Sequence, residues 1–231
     1  MEVLNNIPVN LELETVLKKL RMSNKGESVE RSVQEIIDMA LSVAKPKVVY
    51  EVSYVENKDG DSLDIGGIRF TGRVLGRNLD KVERVFPYVV TCGRELEEIE
   101  FPSSDFIKSY YMDQIKEVIL FSARKYLTDY LKQKYALGKI SSMGPGAGSL
   151  NDWPITQQKP LFSIFGDVED LIGVRLTDKC LMFPIKSTSG IYFPTEVTFF
   201  SCQLCQREKC VGRKAAYSPE EDKKYRGENQ A

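Results

Sequence analysis

Apolar positions recur every three or four residues in the first part of the chain. Leu11 to Leu20 carries a short amphipathic pattern, and Asn24 to Ser28 is a polar turn. Val29, Val33, Ile36, Ile37, Ala40, Leu41 and Ala44 then share one helical face, and Pro46 supplies the stop. Three runs rich in β-branched and aromatic residues follow: VVYEVSYV (48–55), IRFTGRVL (68–75) and VFPYVVTC (85–92). They predict strands, the first two antiparallel across a turn containing Asp59-Gly60-Asp61, the third buried and running into Gly93.

Pro102, Ser103, Ser104 and Asp105 form a helix-start signal, and no glycine or proline follows until Gly138. One long helix is therefore predicted over about 105–137, with Ile107, Tyr111, Ile115, Val118, Ile119, Tyr126 and Tyr130 as its packing stripe against a sheet. A glycine-rich loop (139–156), a helix from Gln157 to Phe165 and a strand region from Cys180 to Phe200 complete the pattern, and SPEEDKKYRGENQA reads as a loose polar tail. Strand runs with segregated helices favour α+β over a regular βαβ alternation. The expected organisation is one domain over residues 1–200 and a cysteine-rich extension with a polar tail over 201–231.

Composition narrows the function. The 231 residues are 42 % hydrophobic and 28 % charged, and 32 basic against 33 acidic residues leave a net charge of −1. No bulk positive field exists to hold phosphates, so nucleic acid is not expected as a partner. The N-terminus lacks a basic region followed by an apolar run, and no apolar stretch is long enough to span a membrane, so a cytoplasmic setting is expected. Histidine is absent, which removes Ser-His and Cys-His nucleophile pairs and histidine metal ligands.

Two motifs could carry chemistry. Cys202-x-x-Cys205-x-x-x-x-Cys210 brings three of the five cysteines close together, with Cys180 a candidate fourth ligand and Cys92 more in keeping with a core thiol. That spacing suits zinc or an iron-sulfur cluster, with unligated thiols or a redox pair as alternatives. Gly144-Pro145-Gly146-Ala147-Gly148 is a poor dinucleotide fingerprint, because no strand-to-helix context is evident and Pro145 withdraws a donor. It fits either a structural turn or a backbone loop that approaches a ligand.

The stretch SMGPGAGSLNDWPITQQKPLFSIFGDVEDLIGVRLTDKCLMFPIKSTSGIY, Ser142 to Tyr192, resembles the activation (reactivation) domain of vitamin B12-dependent methionine synthase. The matching pieces are Pro145-Gly146, Asp152-Trp153-Pro154, Gln158 to Phe162, Ile172-Gly173-Val174-x-Leu176-Thr177, and Pro184 with Lys186-Ser187-Thr188-Ser189-Gly190. The resemblance implies a stand-alone member of that family with a twisted antiparallel sheet, flanking helices and a C-terminal cysteine cluster. It also implies an S-adenosylmethionine site at Ser142, Gly144, Pro145, Gly146 and Ala147, and a corrinoid (cobalamin) carried by a partner protein of a methyltransferase system. In the family, methyl transfer from S-adenosylmethionine is coupled to reduction of inactive cobalt.

The sequence departs from the family loop, usually Arg-x-x-Pro-Gly-Tyr, at Ser142 and Ala147, and so loses a bidentate contact to the ligand carboxylate. Two functions follow as expectations. One is a reactivation or docking component that binds S-adenosylmethionine. The other is a metal-containing electron-transfer or interaction module for a corrinoid protein, served by an electron donor, that no longer binds the methyl donor.

Overall fold

The computed structural model describes residues 1–148, 152–210 and 213–227. In chain order it places strand β1 (Glu2–Leu4), helices α1 (Leu13–Leu20) and α2 (Glu27–Val43), and strands β2 (Lys47–Tyr50), β3 (Ser53–Asp59), β4 (Ser62–Ile65) and β5 (Ile68–Thr71). Helix α3 (Arg73–Leu79), strand β6 (Arg84–Thr91), helix α4 (Phe106–Lys134) and strand β7 (Ile140–Met143) follow. Helices α5 (Gln158–Ser163) and α6 (Val168–Ile172), strands β8 (Arg175–Leu176), β9 (Met182–Phe183) and β10 (Ser187–Pro194), and helix α7 (Pro219–Arg226) complete the described chain.

The α+β expectation holds. Every strand pairing is antiparallel, and β6 is the axis of the main sheet. One edge of β6 is taken by β2 and then β3, which lie end to end; the other edge is taken by β10, whose far side carries β7. All of β6 but its first residue is buried, because both faces are covered. Phe86, Tyr88 and Val90 point toward Ala123, Leu127 and Leu131 of α4, whereas Val89 points with Val49 toward Phe162, Phe165 and Ile172 on the opposite side. A strand buried on both faces reads as the continuous apolar run seen at 85–92 rather than as an alternating one.

Helix α4 begins where its start signal lies: the Asp105 side chain accepts from the Lys108 amide. Its stripe differs from the expected one. Tyr111, Met112, Ile115 and Ile119 pack against α1 and α2, and only the second half, through Ala123, Leu127 and Leu131, meets the sheet. Ile107 is exposed. The buried residues follow a four-residue row, 111-115-119-123-127-131, which runs obliquely round the helix and so faces two different layers.

Three further expectations are corrected. The run 68–75 is not one strand, since it breaks at Gly72 and continues as α3. The glycine-rich loop contains β7, which pairs with β10. The polar tail contains α7, capped by the Ser218 side chain and opened by Pro219. Among the described residues no helix is long and apolar enough to cross a membrane.

Candidate ligand site

A cavity of about 690 Å³ opens where α4, β7, β10 and the segment 198–202 meet. Pairing of β7 with β10 sets Tyr192 opposite Ser142 and Ile191 opposite Met143, so the chain leaving β7 at Gly144 passes over the cavity. It turns at once, with the Ala147 amide donating to Gly144 O and the Gly146 amide to Trp153 O. Glycine is required at 144 because a Cβ there would lie 2.7 Å from Ser189 O. At Gly146, φ is +80° and a Cβ would come within 2.7 Å of Ile155 Cδ1.

Of the five loop residues expected to bind ligand, Ser142, Gly144, Pro145 and Ala147 line the cavity. Gly146 is exposed and acts on the turn instead. Ser149, also in that loop, lies outside the described residues.

The floor is polar and aromatic. Tyr88 and Tyr192 stack with centroids 4.5 Å apart, and the Thr128 hydroxyl donates to the Tyr192 hydroxyl at 3.1 Å. Arg124 reaches over from α4, its Nη2 3.4 Å from the Tyr88 hydroxyl. Burial, then the negative charge Tyr192 would carry if ionised, push the Tyr88 phenol well above its ordinary range; Arg124 only partly offsets this. Lys132 and Lys214 also line the cavity, and burial together with repulsion from Arg124 depresses the Lys214 ammonium. The mouth is apolar: Ile185 is 73 % exposed and Leu181 65 %, with Ile155 and Phe200 beside them.

The loop is held from behind by the C-terminal segment. Arg226 of α7 grips Asp152 with two bonds, Nε to Oδ1 at 2.9 Å and Nη2 to Oδ2 at 2.6 Å, and reaches Asp222 Oδ1 at 2.7 Å. Asp152 O accepts from the Val74 amide, which ties α3 to the same point. Trp153 next to it is fully buried, edge-on to Phe70.

The cysteines divide. Cys92 lies in the core, as expected, and burial pushes its thiol up to about 12. Cys180 and Cys202 both line the cavity, Cys205 is half-buried and Cys210 exposed. Cys202 and Cys205 bracket one turn, where Arg213 donates to both of their carbonyl oxygens and the Lys214 amide donates to Cys202 Sγ at 3.4 Å. This organisation runs through carbonyls. Among the described residues no three cysteine or carboxylate side chains converge to hold a metal.

Sequence reading missed Arg124, Tyr88, Gln158 and Lys214 as site residues. The available signal at Arg124 was a cation next to Ala123 and one turn before Leu127 in α4, where a long polar side chain near the sheet must either be paired or face a cavity.

Residues 127–215 match the family model described as the activation domain of vitamin B12-dependent methionine synthase. The matched segment spans the second half of α4, the loop, β10 and Cys202, Cys205 and Cys210. The fold is that of the MetH reactivation domain in its crystal structure with AdoHcy, at TM-score 0.57 and 15 % identity over 97 % of this chain and 89 % of that one. No curated protein sequence matches. Residues 127–215 thus carry the signature of the vitamin B12-dependent methionine synthase activation domain family, within a chain that has that domain's fold.

Proposed function

We propose that the cavity binds S-adenosylmethionine and its demethylated product S-adenosylhomocysteine, and that the apolar mouth docks a corrinoid-bearing partner. The protein is then a reactivation component of a corrinoid methyltransferase system. The observation that carries this reading is the convergence of Ser142, Gly144, Pro145 and Ala147, inside the matched segment, on one cavity of about 690 Å³. That volume lies within the usual range for small-ligand sites.

A corrinoid carried by the partner would supply the metal centre that accepts the methyl group. The chain's own residues hold the donor and keep water out, the latter through Ile155, Leu181, Met182 and Ile185. The described lining holds three cations and no carboxylate. A sulfonium loses its charge as the methyl departs, so this lining disfavours the charged ground state relative to the transition state and product.

Calorimetry with S-adenosylhomocysteine tests the site. Measurable heat is expected for the wild-type chain and its loss for Gly146→Val, with an unchanged circular dichroism spectrum. No heat at millimolar ligand would remove the reading.

A second reading rests on a separate observation, the shared position of Cys180 and Cys202 on the cavity wall and the amide that donates to Cys202 Sγ. Amide donors to sulfur also surround iron-sulfur and zinc thiolates. In this reading Cys202, Cys205, Cys210 and Cys180 would hold a metal after the 198–210 segment rearranged to bring them together, and an iron-sulfur centre there would supply electrons for the partner. Anaerobic purification with metal analysis decides it: a brown, dithionite-bleached protein supports a cluster, stoichiometric zinc a structural site, and metal-free protein removes it.

A further inference from the structure

The cavity's charge is unbalanced. Arg124, Lys132 and Lys214 face it, and no aspartate or glutamate is among its described lining residues. Arg124 is the most constrained of the three. Its guanidinium sits against the Tyr88 and Tyr192 hydroxyls, and it forms no ion pair among the described residues. Its Nε is buried without any hydrogen-bond partner. A guanidinium presents five donors in a rigid fork, and among the described residues they meet only the Tyr88 hydroxyl, at a long 3.4 Å, and the Tyr192 hydroxyl beside it. A half-buried guanidinium whose Nε is cut off from water and left so poorly satisfied is costly, and the natural compensation is an anion that enters from the cavity side.

The surroundings also fix where that anion would sit. The Tyr88 hydroxyl neighbours both the guanidinium and the Ser142 side chain, and all three line the cavity, so Arg124 and the start of the ligand loop share one part of the floor. Thr128 and Tyr192 hold the neighbouring side through their own hydroxyl pair. Lys214 is crowded by Arg124, and an anion between them would relieve both.

Resting on the adenosyl-ligand reading above, we propose that Arg124 is the carboxylate anchor of the site: its guanidinium fork takes the α-carboxylate of the ligand's amino-acid end on the cavity floor. Arg124 thereby selects ligands that carry a carboxylate over those with only the adenosine and thioether. Planar, bidentate recognition of carboxylate is what a guanidinium does better than an ammonium.

Two probes separate this proposal from the general reading. S-adenosylhomocysteine carries the carboxylate, and 5′-methylthioadenosine keeps adenosine and thioether but lacks the amino-acid end. By calorimetry the wild-type chain should bind the first about 10- to 100-fold more tightly, the range expected for charge-assisted hydrogen bonds. Arg124→Met should weaken S-adenosylhomocysteine by about that factor and leave 5′-methylthioadenosine unchanged, and Arg124→Lys should recover part of the loss. Equal binding of both probes to the wild type, or equal weakening of both by Arg124→Met, overturns the anchor while leaving an adenosyl site in place. Failure of both probes to bind the wild type overturns the adenosyl reading and the anchor with it. Should Arg124→Met unfold, Arg124→Lys against the two probes gives the same discrimination: a drop confined to the carboxylate ligand supports the anchor, and equal drops refute it.

Discussion

Replacing Arg226 with methionine isolates the clamp between α7 and the ligand loop. The guanidinium is 21 % exposed and the Asp152 side chain 3 %, so the substitution removes a two-pronged partner from a carboxylate that water hardly reaches. Breaking a buried pair from one side costs about 3–5 kcal/mol. The lower end applies here, because Asp222 at 10 % exposure can be rehydrated when α7 peels away. A loss of about 3 kcal/mol corresponds to a fall in Tm of about 6–12 °C for a chain of this size.

Urea unfolding measures the loss as a shifted midpoint at unchanged slope. Hydrogen exchange locates it: the Val74 amide, which donates to Asp152 O, and the Gly146 amide, which donates to Trp153 O, should lose protection. The pair Arg226→Met with Asp152→Asn should be non-additive by about 2 kcal/mol, since the neutral amide no longer needs the cation. A loss in Arg226→Met below about 0.5 kcal/mol, or additivity within that margin, would refute the clamp.

Four further outcomes are expected. Burial alone would raise the Glu2 carboxyl, but hydrogen bonds from Lys134, Tyr130 and Tyr50 outweigh it and hold it at about 2 against an ordinary 4.5, so its stabilisation is present above pH 4.5 and lost as pH falls toward 2. Glu2→Gln should flatten the unfolding midpoint across that window, and an unchanged slope would contradict the assignment. Iodoacetamide on the native protein at neutral pH should modify exposed Cys210 and spare Cys92, whose thiol burial pushes up to about 12. Saturating S-adenosylhomocysteine should slow labelling of Cys202, on the cavity wall, without affecting Cys210; peptide mass spectrometry reads both, and equal rates at Cys202 would place the ligand elsewhere. Gly190→Ala would put a Cβ 2.2 Å from Met143 O and 3.1 Å from the Tyr88 hydroxyl, so it should spread β10 from β7 and abolish ligand heat before it abolishes folding. Retained affinity would show that the strand pair does not set the floor.

The sequence carried local information well. The Asp105 cap, the start of α4 and the apolar run of β6 follow from side-chain chemistry within a few residues of each element. What it did not carry is set by distant contacts. Position 72, just past β5, must be glycine because a Cβ there would strike Asp152 O, eighty positions downstream, at 2.7 Å. Strand β7, hidden in a glycine-rich loop, exists because β10 offers it an edge. Two layers met by one oblique row displaced the α4 stripe, and a helical-period count on one face cannot separate them. The loop residues of the site were legible through the family resemblance, whereas Arg124 was not, because only the three-dimensional arrangement shows that no carboxylate among the described residues faces its guanidinium.

The lacing of β6 to β10 has a consequence for how the protein comes into being. Thr91 and Ser187, whose hydroxyls meet across that pair, are 96 residues apart, and the cavity beside it draws on Arg124, Ser142, Tyr192, Cys202 and Lys214. No nascent chain that has yet to expose Lys214 can own the complete pocket, and loop closure over such separations is slow. Recovery of ligand heat after dilution from denaturant would therefore lag behind recovery of helical circular dichroism, with binding competence among the last properties the refolding chain acquires.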